Sequence, residues 1–200
     1  MKFKAILFDM DGVLIDSFYA WYHLFNASLN HFGMNQISEE EFKQNVWGGS
    51  IERDVKYYFK KQSVSELASY YFSNFSKFTK HSKIFPDTTP VLSELSKKNI
   101  PIGLVTNTFR KEAELLLRRF GIRNYFKVVV AGDDVKHGKP EPEMMLKACL
   151  EFGVNPKETI LVGDTKNDIL SGRSAGCFVV GFKIEGDKTI NSLREIIDYF

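Results

Sequence analysis

The chain has 200 residues, of which 44% are hydrophobic and 26% are charged, and its formal net charge at pH 7 is +2. A chain of this length and composition can bury a sizeable core, either as one large domain or as a domain that carries a smaller insertion. Because lysine and arginine are scattered among aspartate and glutamate, the sequence lacks the basic surface of a nucleic-acid-binding protein or of a protein that binds acidic membranes.

The sequence predicts neither membrane insertion nor secretion. Its apolar runs all fall short of the roughly 20 residues of a spanning helix, and the amino terminus leads straight into a predicted strand instead of a signal peptide. Cys149 and Cys177 fall in a predicted helix and a predicted strand, without metal-ligand spacing. We therefore expect two buried, reduced thiols rather than a disulfide, and a cytoplasmic protein.

The first predicted strand ends in two aspartates. Residues 4–8 are mostly apolar, as in a strand buried in a parallel sheet, and such sheets bind ligands beyond the carboxyl ends of their strands. Asp9 and Asp11 are two positions apart, so in extended chain their side chains point the same way, and Gly12 permits a sharp turn after them. Two carboxylates held so close need a metal ion, a shared proton or a cationic partner.

The next segment, residues 16–83, shows helical periodicity and almost no strand signal. Ser38 with Glu41 three residues later predicts a reciprocal cap, and Gly48 with Gly49 predicts a break between helices. Aromatic residues recur along the last helix, and we interpret them as packing core rather than a ligand platform. The pattern predicts an all-α unit of four helices, at residues 17–31, 38–46, 51–60 and 65–78.

From residue 86 onward, predicted strands and helices alternate. The strands lie at residues 102–105, 128–131, 160–162 and 178–180, and the helices lie at residues 88–98, 110–120, 141–152, 168–175 and 193–199. Alternation of this kind predicts an α/β fold, a Rossmann-like doubly wound parallel sheet with helices on both faces. The first strand must join this sheet, so residues 1–15 and 84–200 form the core domain and residues 16–83 form an inserted helical cap.

Polar residues follow three of the predicted strands. Asp9 and Asp11 follow the first strand, and Thr106 and Asn107 follow the second. Further along the chain come Lys139, in a loop after the third strand of the sequence, and Asp164 with Asp168 after the fourth. Because the carboxyl ends of parallel strands face one edge of the sheet, these residues are expected to meet in one crevice.

Each of these residues also has a purely structural interpretation. Asp164, Thr106 and Asn107 could cap the helices that follow them, and Lys139 could be a solvated loop lysine. Asp133 and Asp134 also follow a strand, but we assign them no role and interpret them as a solvated turn. The joint occurrence of the others, in order and at strand ends, favours a functional site.

Four segments together resemble the motifs of the haloacid dehalogenase superfamily. They are DMDGVLIDS at residues 9–17, VTN at 105–107, KPEP at 139–142 and GDTKND at 163–168. Their order and approximate spacing match the family, and the resemblance covers essentially the whole chain. The helical insertion after the first motif is similar to the cap of the phosphoglycolate phosphatase-like and β-phosphoglucomutase-like branch.

The resemblance implies a Mg2+-dependent phosphoryl transfer. Asp9 would attack the phosphorus of a phosphomonoester and form an aspartyl-phosphate, while Asp11 would act first as general acid and then as general base. The resemblance also implies a Mg2+ site at an Asp9 oxygen, the Asp11 carbonyl and Asp164, which are the hard oxygen ligands that this ion prefers. Asp168 would be a ligand through water or a group that orients the site.

The remaining motif residues would bind the phosphoryl group. Lys139 would contact its oxygens and screen Asp9 from Asp164. Thr106 and the backbone amides of Met10 and Asp11, together with Asn107, would donate hydrogen bonds to the equatorial oxygens. All the side chains that this resemblance requires are present in the sequence.

The sequence favours a phosphatase over three alternatives. The carbon–halogen members of the superfamily lack a second carboxylate at the position of Asp11, and a non-catalytic relative would be expected to have lost a motif residue. A mutase-like cap loop has lysine directly before a glycine and arginine three places after that glycine. Here no lysine stands directly before Gly48 or Gly49, and Arg53 is displaced by one position from the expected arginine. Gly49 and Arg53 are still expected to contact the substrate, the alternative being that Arg53 is a surface helix residue that pairs with Glu52 or Asp54.

We therefore expect a phosphoglycolate phosphatase-like enzyme that acts on a small phosphorylated metabolite. Its cap would close over the crevice on hinges near residues 16–17 and 83–86 and would exclude water. A sugar phosphomutase is the alternative activity.

Overall fold

The computed structural model describes residues 3–200. The chain divides into two compact units. One consists of the residues up to Ile15 together with Ile84–Phe200, and the other consists of Asp16–Lys83. The second unit is thus inserted into the first after the first strand.

The first unit is built on a six-stranded sheet in which all pairs are parallel. The strands of the chain are β1 Ala5–Phe8, β2 Ile15–Asp16, β3 Lys83–Ile84, β4 Ile102–Val105, β5 Val128–Val130, β6 Thr159–Gly163, β7 Phe178–Phe182 and β8 Lys188–Ile190. The sheet order is β5-β4-β1-β6-β7-β8, and β2 pairs with β3 in a separate two-stranded sheet. The predicted α/β fold is therefore confirmed, with the first strand in the sheet.

The strand order places a switch point beside β1. The chain winds outward from β1 through β4 to β5, and then returns to the other side of β1 for β6, β7 and β8. Phe8, the last residue of β1, is level with Leu104 of β4 and Val162 of β6. Ligands of doubly wound sheets bind beyond the carboxyl ends of the strands at such a point. The residues that follow β1, β4 and β6 therefore occupy the position where a site is expected.

The burial of β1 agrees with its place inside the sheet, although the edge strand β5 is buried as well. All four residues of β1 are buried, as are all residues of β4 and β6, so these segments have no face for solvent. By contrast, β8 exposes Lys188 and Thr189 and forms an edge of the sheet. The strand β8 was not predicted, because its three residues, two of them exposed and polar, carry no hydrophobic pattern.

Four α-helices accompany the sheet. They are α5 Thr88–Lys97, α6 Arg110–Arg119, α7 Glu143–Phe152 and α8 Lys166–Ala175. Gly153 and Gly176 end α7 and α8 in the left-handed conformation, which glycine adopts without steric cost. The predicted last helix is present as a 3-10 helix, Leu193–Tyr199.

The helical unit contains the four predicted helices. They are α1 Phe18–His31, α2 Glu39–Asn45, α3 Ile51–Tyr57 and α4 Val64–Phe78. Aromatic side chains of this unit form a common core, in which the Phe25 ring lies 5.5 Å from that of Phe42 and 5.4 Å from that of Phe59. On α4, Tyr71 and Phe75 are buried whereas Phe72 is exposed. The buried aromatic side chains of α4 thus pack in the core of the helical unit, as predicted.

The state of the two cysteines and the length of the apolar helices were also considered in the sequence. Cys149 and Cys177 are free and buried. Over residues 3–200, no helix is long and apolar enough to cross a membrane.

Candidate active site

Three carboxylates meet at the switch point. Asp9 follows β1, Asp164 follows β6, and Asp168 lies in the first turn of α8. One oxygen from each lies within 4.8 Å of the others. Asp9 is 4% exposed and Asp168 is fully buried. Burying like charges so closely is unfavourable unless positive charge lies nearby.

A tight turn after β1 brings the first motif against Asp164. The amide of Gly12 donates to the Ile15 carbonyl at 2.8 Å, and the amides of Leu14 and Ile15 both donate to the Met10 carbonyl at 3.0 Å. Gly12 has a φ of +87°, and a Cβ at this position would lie 2.1 Å from Asp164 Oδ2. Only glycine fits here, because both the backbone conformation and the space exclude a side chain.

Lys139 supplies positive charge to this cluster. It is 3% exposed. Its ammonium lies 2.8 Å from Asp9 Oδ1 and 2.6 Å from Asp168 Oδ1, and it donates to the Val105 carbonyl at 3.3 Å. The resemblance implied that Lys139 screens Asp9 from Asp164, and the structure adds that its ammonium pairs with both Asp9 and Asp168.

Asn107 holds the backbone of Lys139. Its side-chain amide donates to the Lys139 carbonyl at 3.0 Å, and its side-chain oxygen accepts from the Lys139 amide at 2.8 Å. A Cβ on Gly138 would lie 2.5 Å from Asn107 Oδ1, so the glycine permits this close approach. Asn107 was predicted to bind the phosphoryl group, and the structure adds that its side chain fixes the loop that carries Lys139.

Asp168 is engaged through both of its oxygens. Oδ1 pairs with Lys139, while Oδ2 accepts hydrogen bonds from the Thr165 amide at 3.0 Å and the Thr165 hydroxyl at 2.5 Å. The Thr165 hydroxyl in turn accepts from the Asp168 amide, which completes a capping box at the start of α8. These contacts lock Asp168 in an orientation that faces Lys139.

Asp11 interacts with the loop that follows β4. Its Oδ2 accepts a hydrogen bond of 2.7 Å from the Thr108 hydroxyl and a long one of 3.5 Å from the Thr106 hydroxyl. Thr106 was predicted as a site residue, whereas sequence reasoning missed Thr108. The only available signal was a second threonine two places after Thr106, and its meaning depends on how the loop bends.

The amide of Met10 was predicted to bind the phosphoryl group. In the structure it donates to Asp9 Oδ1 at 2.8 Å, and the Met10 side chain is fully buried. The other two predicted substrate residues, Gly49 and Arg53, belong to the helical unit. Gly49 precedes α3 and Arg53 is an exposed residue on α3, and a Cβ on Gly49 would lie 3.6 Å from Arg53 Cδ.

Asp133 and Asp134 lie in a short 3-10 turn, in which Asp133 is exposed, as predicted, whereas Asp134 is only partly exposed. Asp134 pairs with Arg110 and accepts a hydrogen bond from the Ala131 amide at 2.7 Å. Asp133 accepts from the Arg110 amide, also at 2.7 Å. The sequence did not predict these contacts, because the partner lies at the start of α6, more than 20 residues earlier, and the two aspartates anchor that helix.

The electrostatics of the cluster show an excess of negative charge. Burial raises the pKa of Asp9 well above its usual range, the Asp168 carboxylate adds to this, and Lys139 opposes it only in part. Burial also acts to lower the pKa of Lys139, but Asp168 and Asp9 outweigh it, so the ammonium stays charged. The carboxylates of Asp164 and Asp11 raise the pKa of Asp9 further.

A divalent metal ion fits this excess of negative charge. The donors that converge are carboxylate oxygens, the ligands preferred by hard cations. A cation here would compensate the repulsion that Lys139 leaves and would favour the ionised form of Asp9. With its buried carboxylate, its ammonium and its two hydroxyls, the sheet edge has the groups needed for nucleophilic and acid–base chemistry.

Comparison with known proteins points to the same chemistry. A family model described as haloacid dehalogenase-like hydrolase matches residues 6–182. A phosphoglycolate phosphatase from Photorhabdus laumondii subsp. laumondii is 33% identical over 186 residues, which cover 89% of this chain and 79% of that protein. A pyrophosphatase from Bacillus mycoides is 32% identical over 177 residues, which cover 88% of this chain and 81% of that protein.

A solved structure shares the fold of this chain. The β-phosphoglucomutase from Clostridium difficile matches with a TM-score of 0.81 and 26% identity, over 97% of this chain and 93% of that one. The matched range of the family model includes all four segments singled out in the sequence.

Proposed function

Since this chain belongs to the haloacid dehalogenase-like hydrolase family and is a phosphatase of its phosphoglycolate phosphatase-like branch, we propose that it hydrolyses a small phosphomonoester through an aspartyl-phosphate on Asp9. The observation that carries this proposal is the buried Asp9 carboxylate beside Lys139, with the Asp11 carboxyl two residues away. A nucleophile, a cation for the phosphoryl group and an acid are thereby present at one sheet edge.

The proposed reaction has two steps. A carboxylate oxygen of Asp9 forms a bond to phosphorus as the bond to the leaving alcohol breaks, and Asp11 donates its proton to that alcohol. Asp11 then accepts a proton from water as the water oxygen attacks phosphorus. The acyl-phosphate bond breaks, which releases inorganic phosphate and regenerates the Asp9 carboxylate.

Mg2+ is the proposed cofactor. An Asp9 oxygen, the Asp11 carbonyl and Asp164 would hold it, and bound there it supplies positive charge that offsets the developing charge on the phosphoryl oxygens. We assign Asp168 the orienting role that the sequence left open, because both of its oxygens already contact Lys139 or Thr165. The ion pair between Asp168 and Lys139 keeps the Lys139 ammonium directed at Asp9.

The phosphoryl oxygens would be bound by side chains and amides of the same edge. We propose Lys139 as the charged donor, and the Thr106 hydroxyl together with the amides of Met10 and Asp11 as neutral donors. Asn107 would act through the backbone of Lys139, because its side-chain amide is hydrogen-bonded to that backbone at both ends.

Phosphoglycolate is the first candidate substrate, because relatives across most of the chain carry that activity in their names. Pyrophosphate is the next, from the name of another relative. We further propose that the helical unit acts as the cap and that its residues Gly49 and Arg53 select the substrate. The proposed location of the enzyme is the cytoplasm. Arg53→Ala is then expected to change the ratio of kcat/KM values between phosphoglycolate and pyrophosphate while leaving Asp9 chemistry intact.

A sugar phosphomutase is the second candidate, since the match to a β-phosphoglucomutase covers nearly the whole chain. A mutase would require a bis-phosphorylated sugar to prime Asp9 and would release little inorganic phosphate. The absence of a lysine immediately before Gly48 and Gly49 weighs against it.

The test is phosphate release from phosphoglycolate, pyrophosphate, a nucleoside monophosphate and a sugar phosphate, with Mg2+ or with EDTA. We expect turnover that requires Mg2+ and is lost in Asp9→Asn. Full activity of Asp9→Asn would contradict the role of Asp9. Interconversion of sugar phosphates that is stimulated by a bis-phosphorylated sugar and releases no inorganic phosphate would favour the mutase.

A further inference from the structure

We propose that Thr108 is a positioning residue that holds the carboxyl group of Asp11 for proton transfer to the leaving alcohol. Its hydroxyl donates to Asp11 Oδ2 at 2.7 Å. The proposal rests on the proposed function, since it needs Asp11 to be the general acid. No motif that the sequence suggested includes Thr108.

The Thr108 hydroxyl is the better placed of the two threonine donors. The Thr106 hydroxyl lies 3.5 Å from the same Asp11 oxygen, which is the limit of a hydrogen bond. Thr106 is also the predicted ligand of the phosphoryl oxygens, so substrate binding would draw its hydroxyl away from Asp11. Thr108 would then be the residue that keeps Asp11 in place throughout the reaction.

The backbone around Thr108 is fixed on both sides. Its amide donates to the Thr106 hydroxyl at 3.2 Å, and its carbonyl accepts from the Gly132 amide at 3.0 Å. A Cβ on Gly132 would lie 2.3 Å from the Asn107 carbonyl, so the loops after β4 and β5 pack closely. Thr108 is 9% exposed. Its hydroxyl is therefore held ready by the fold rather than ordered by the substrate.

A fixed donor on one oxygen of Asp11 limits rotation of the whole carboxyl group. Asp11 is only half-buried, and the hydrogen bond from Thr108 to its Oδ2 restricts the rotamers that its side chain can adopt. A general acid works only when its proton lies within hydrogen-bond reach of the leaving oxygen, and a displacement of about 1 Å can cost about 100-fold in rate.

This role predicts a dependence on the leaving group. An alkoxide is a poor leaving group and needs the proton of Asp11 as the bond to phosphorus breaks. p-Nitrophenolate leaves readily without a proton. Removing the Thr108 hydroxyl should therefore slow hydrolysis of an alkyl phosphate much more than hydrolysis of p-nitrophenyl phosphate, whereas general damage to the site would slow both alike.

The experiment compares Thr108→Val, which keeps the shape and removes the hydroxyl, with Thr108→Ser, which keeps the hydroxyl. Thr159→Val is the matched control, because Thr159 is a buried threonine at the start of β6, the end of the strand away from Asp164. The substrates are 2-phosphoglycolate and p-nitrophenyl phosphate, measured as kcat and KM separately. Thermal unfolding of each variant reports on the fold.

We expect Thr108→Val to lower kcat for phosphoglycolate by about 10- to 100-fold and kcat for p-nitrophenyl phosphate by less than about threefold. KM should change little, and Thr108→Ser should restore most of the kcat. Thr159→Val should leave both rates unchanged. If Thr108→Val does not fold, Thr108→Ala carries the same comparison, because it also lacks the hydroxyl.

Two results would overturn the positioning role while the proposed function stands. One is equal loss for both substrates, and the other is unchanged kcat for phosphoglycolate in a folded Thr108→Val protein. Failure of the wild-type protein to release phosphate from any of the tested phosphomonoesters would instead contradict the proposed function, and the role of Thr108 with it.

Discussion

Lys139 is the residue on which the charge balance of the sheet edge depends. Its ammonium pairs with two carboxylates, those of Asp9 and Asp168, and all three groups are almost fully buried. Removing one partner of a buried ion pair leaves an uncompensated charge and costs about 3–5 kcal/mol. We expect Lys139→Met to lower the free energy of unfolding in urea by this amount and to abolish phosphatase activity.

Lys4→Met is the control for this variant. Lys4 pairs with Glu158 at 2.6 Å, but its side chain is 61% exposed. Solvent screens such a pair, so the loss should stay below about 1 kcal/mol. If the two variants were equally stable, Lys139 would not carry the charge balance of the site.

Gly12 makes the contact between the first turn and Asp164 possible. In Gly12→Ala, the added Cβ would lie 2.1 Å from Asp164 Oδ2, and the backbone would remain left-handed at a φ of +87°. We expect Asp164 to be displaced and phosphate release to fall by about 100-fold or more, since shifts of about 1 Å at a reacting centre have this effect. The initial rate on p-nitrophenyl phosphate measures it.

The matched control is Gly176→Ala at the end of α8. Gly176 has a similar φ of +84°, and a Cβ there would meet no heavy atom within 4 Å. Both variants share the backbone strain, about 1–2 kcal/mol, but only Gly12→Ala should lose activity. Comparable activity in the two variants would show that the position of Asp164 is not critical.

The capping box of α8 links the stability of an element to the chemistry of the site. Thr165 caps the helix and also binds Asp168 Oδ2, while Asp168 Oδ1 holds Lys139. We expect Thr165→Ala to lower the free energy of unfolding by about 1 kcal/mol, as loss of a helix cap does. It should also lower kcat, because Asp168 is no longer held toward Lys139.

Ser38→Ala removes a cap in the helical unit and serves as the comparison. The Ser38 hydroxyl accepts from the Glu41 amide at 3.1 Å at the start of α2. A similar loss of stability is expected there, with kcat unchanged. Unchanged kcat in Thr165→Ala as well would mean that the cap of α8 has no part in orienting Lys139.

A buried aspartate makes the stability of the helical unit depend on pH. Asp54 of α3 is buried, and the Tyr71 hydroxyl lies 3.4 Å from its Oδ2. Burial raises the pKa of Asp54 well above its ordinary value of 3.8, and Tyr71 and Arg53 oppose this only in part. The fold therefore favours the protonated form, so this contribution to stability is complete below pH 3.8 and is lost as pH rises through the raised pKa.

Asp54→Asn should remove this loss of stability at high pH, because the side-chain amide of asparagine stays neutral at every pH. We expect the variant to gain stability relative to the wild type at pH 8 and to show no such gain at pH 4, measured by urea unfolding at each pH. The control is Glu52→Gln, which neutralises an exposed acid on the same helix. Parallel pH profiles for wild type and Asp54→Asn would contradict the buried charge as the cause.

At the scale of the whole molecule, the strong hydrophobic patterns were enough to predict the fold. The continuous apolar runs of β1, β4 and β6 identify buried parallel strands, and helical periodicity identifies the inserted unit. The strands β2, β3 and β8 were missed because two or three residues show no period. Their pairing depends on partners that are distant in the sequence.

Site residues marked by a local pattern were predictable, whereas those defined by contacts between distant parts of the chain were not. Asp9, Asp164 and Lys139 stand out because strand ends and motif spacing mark them. The contact of Thr108 with Asp11 spans 97 positions, and the contact of Asn107 with the Lys139 backbone depends on the shape of two loops. Local sequence carries no signal for such contacts, so they became visible only in the folded chain.

The most direct test of the whole account is to trap the phosphorylated enzyme. The protein is mixed with Mg2+ and radiolabelled phosphomonoester, quenched with acid during turnover, and digested. An aspartyl-phosphate is an acyl phosphate, so the label should be released by hydroxylamine, should map to the peptide that contains Asp9, and should be absent from Asp9→Asn. Label on another residue, or equal labelling of Asp9→Asn, would contradict the account.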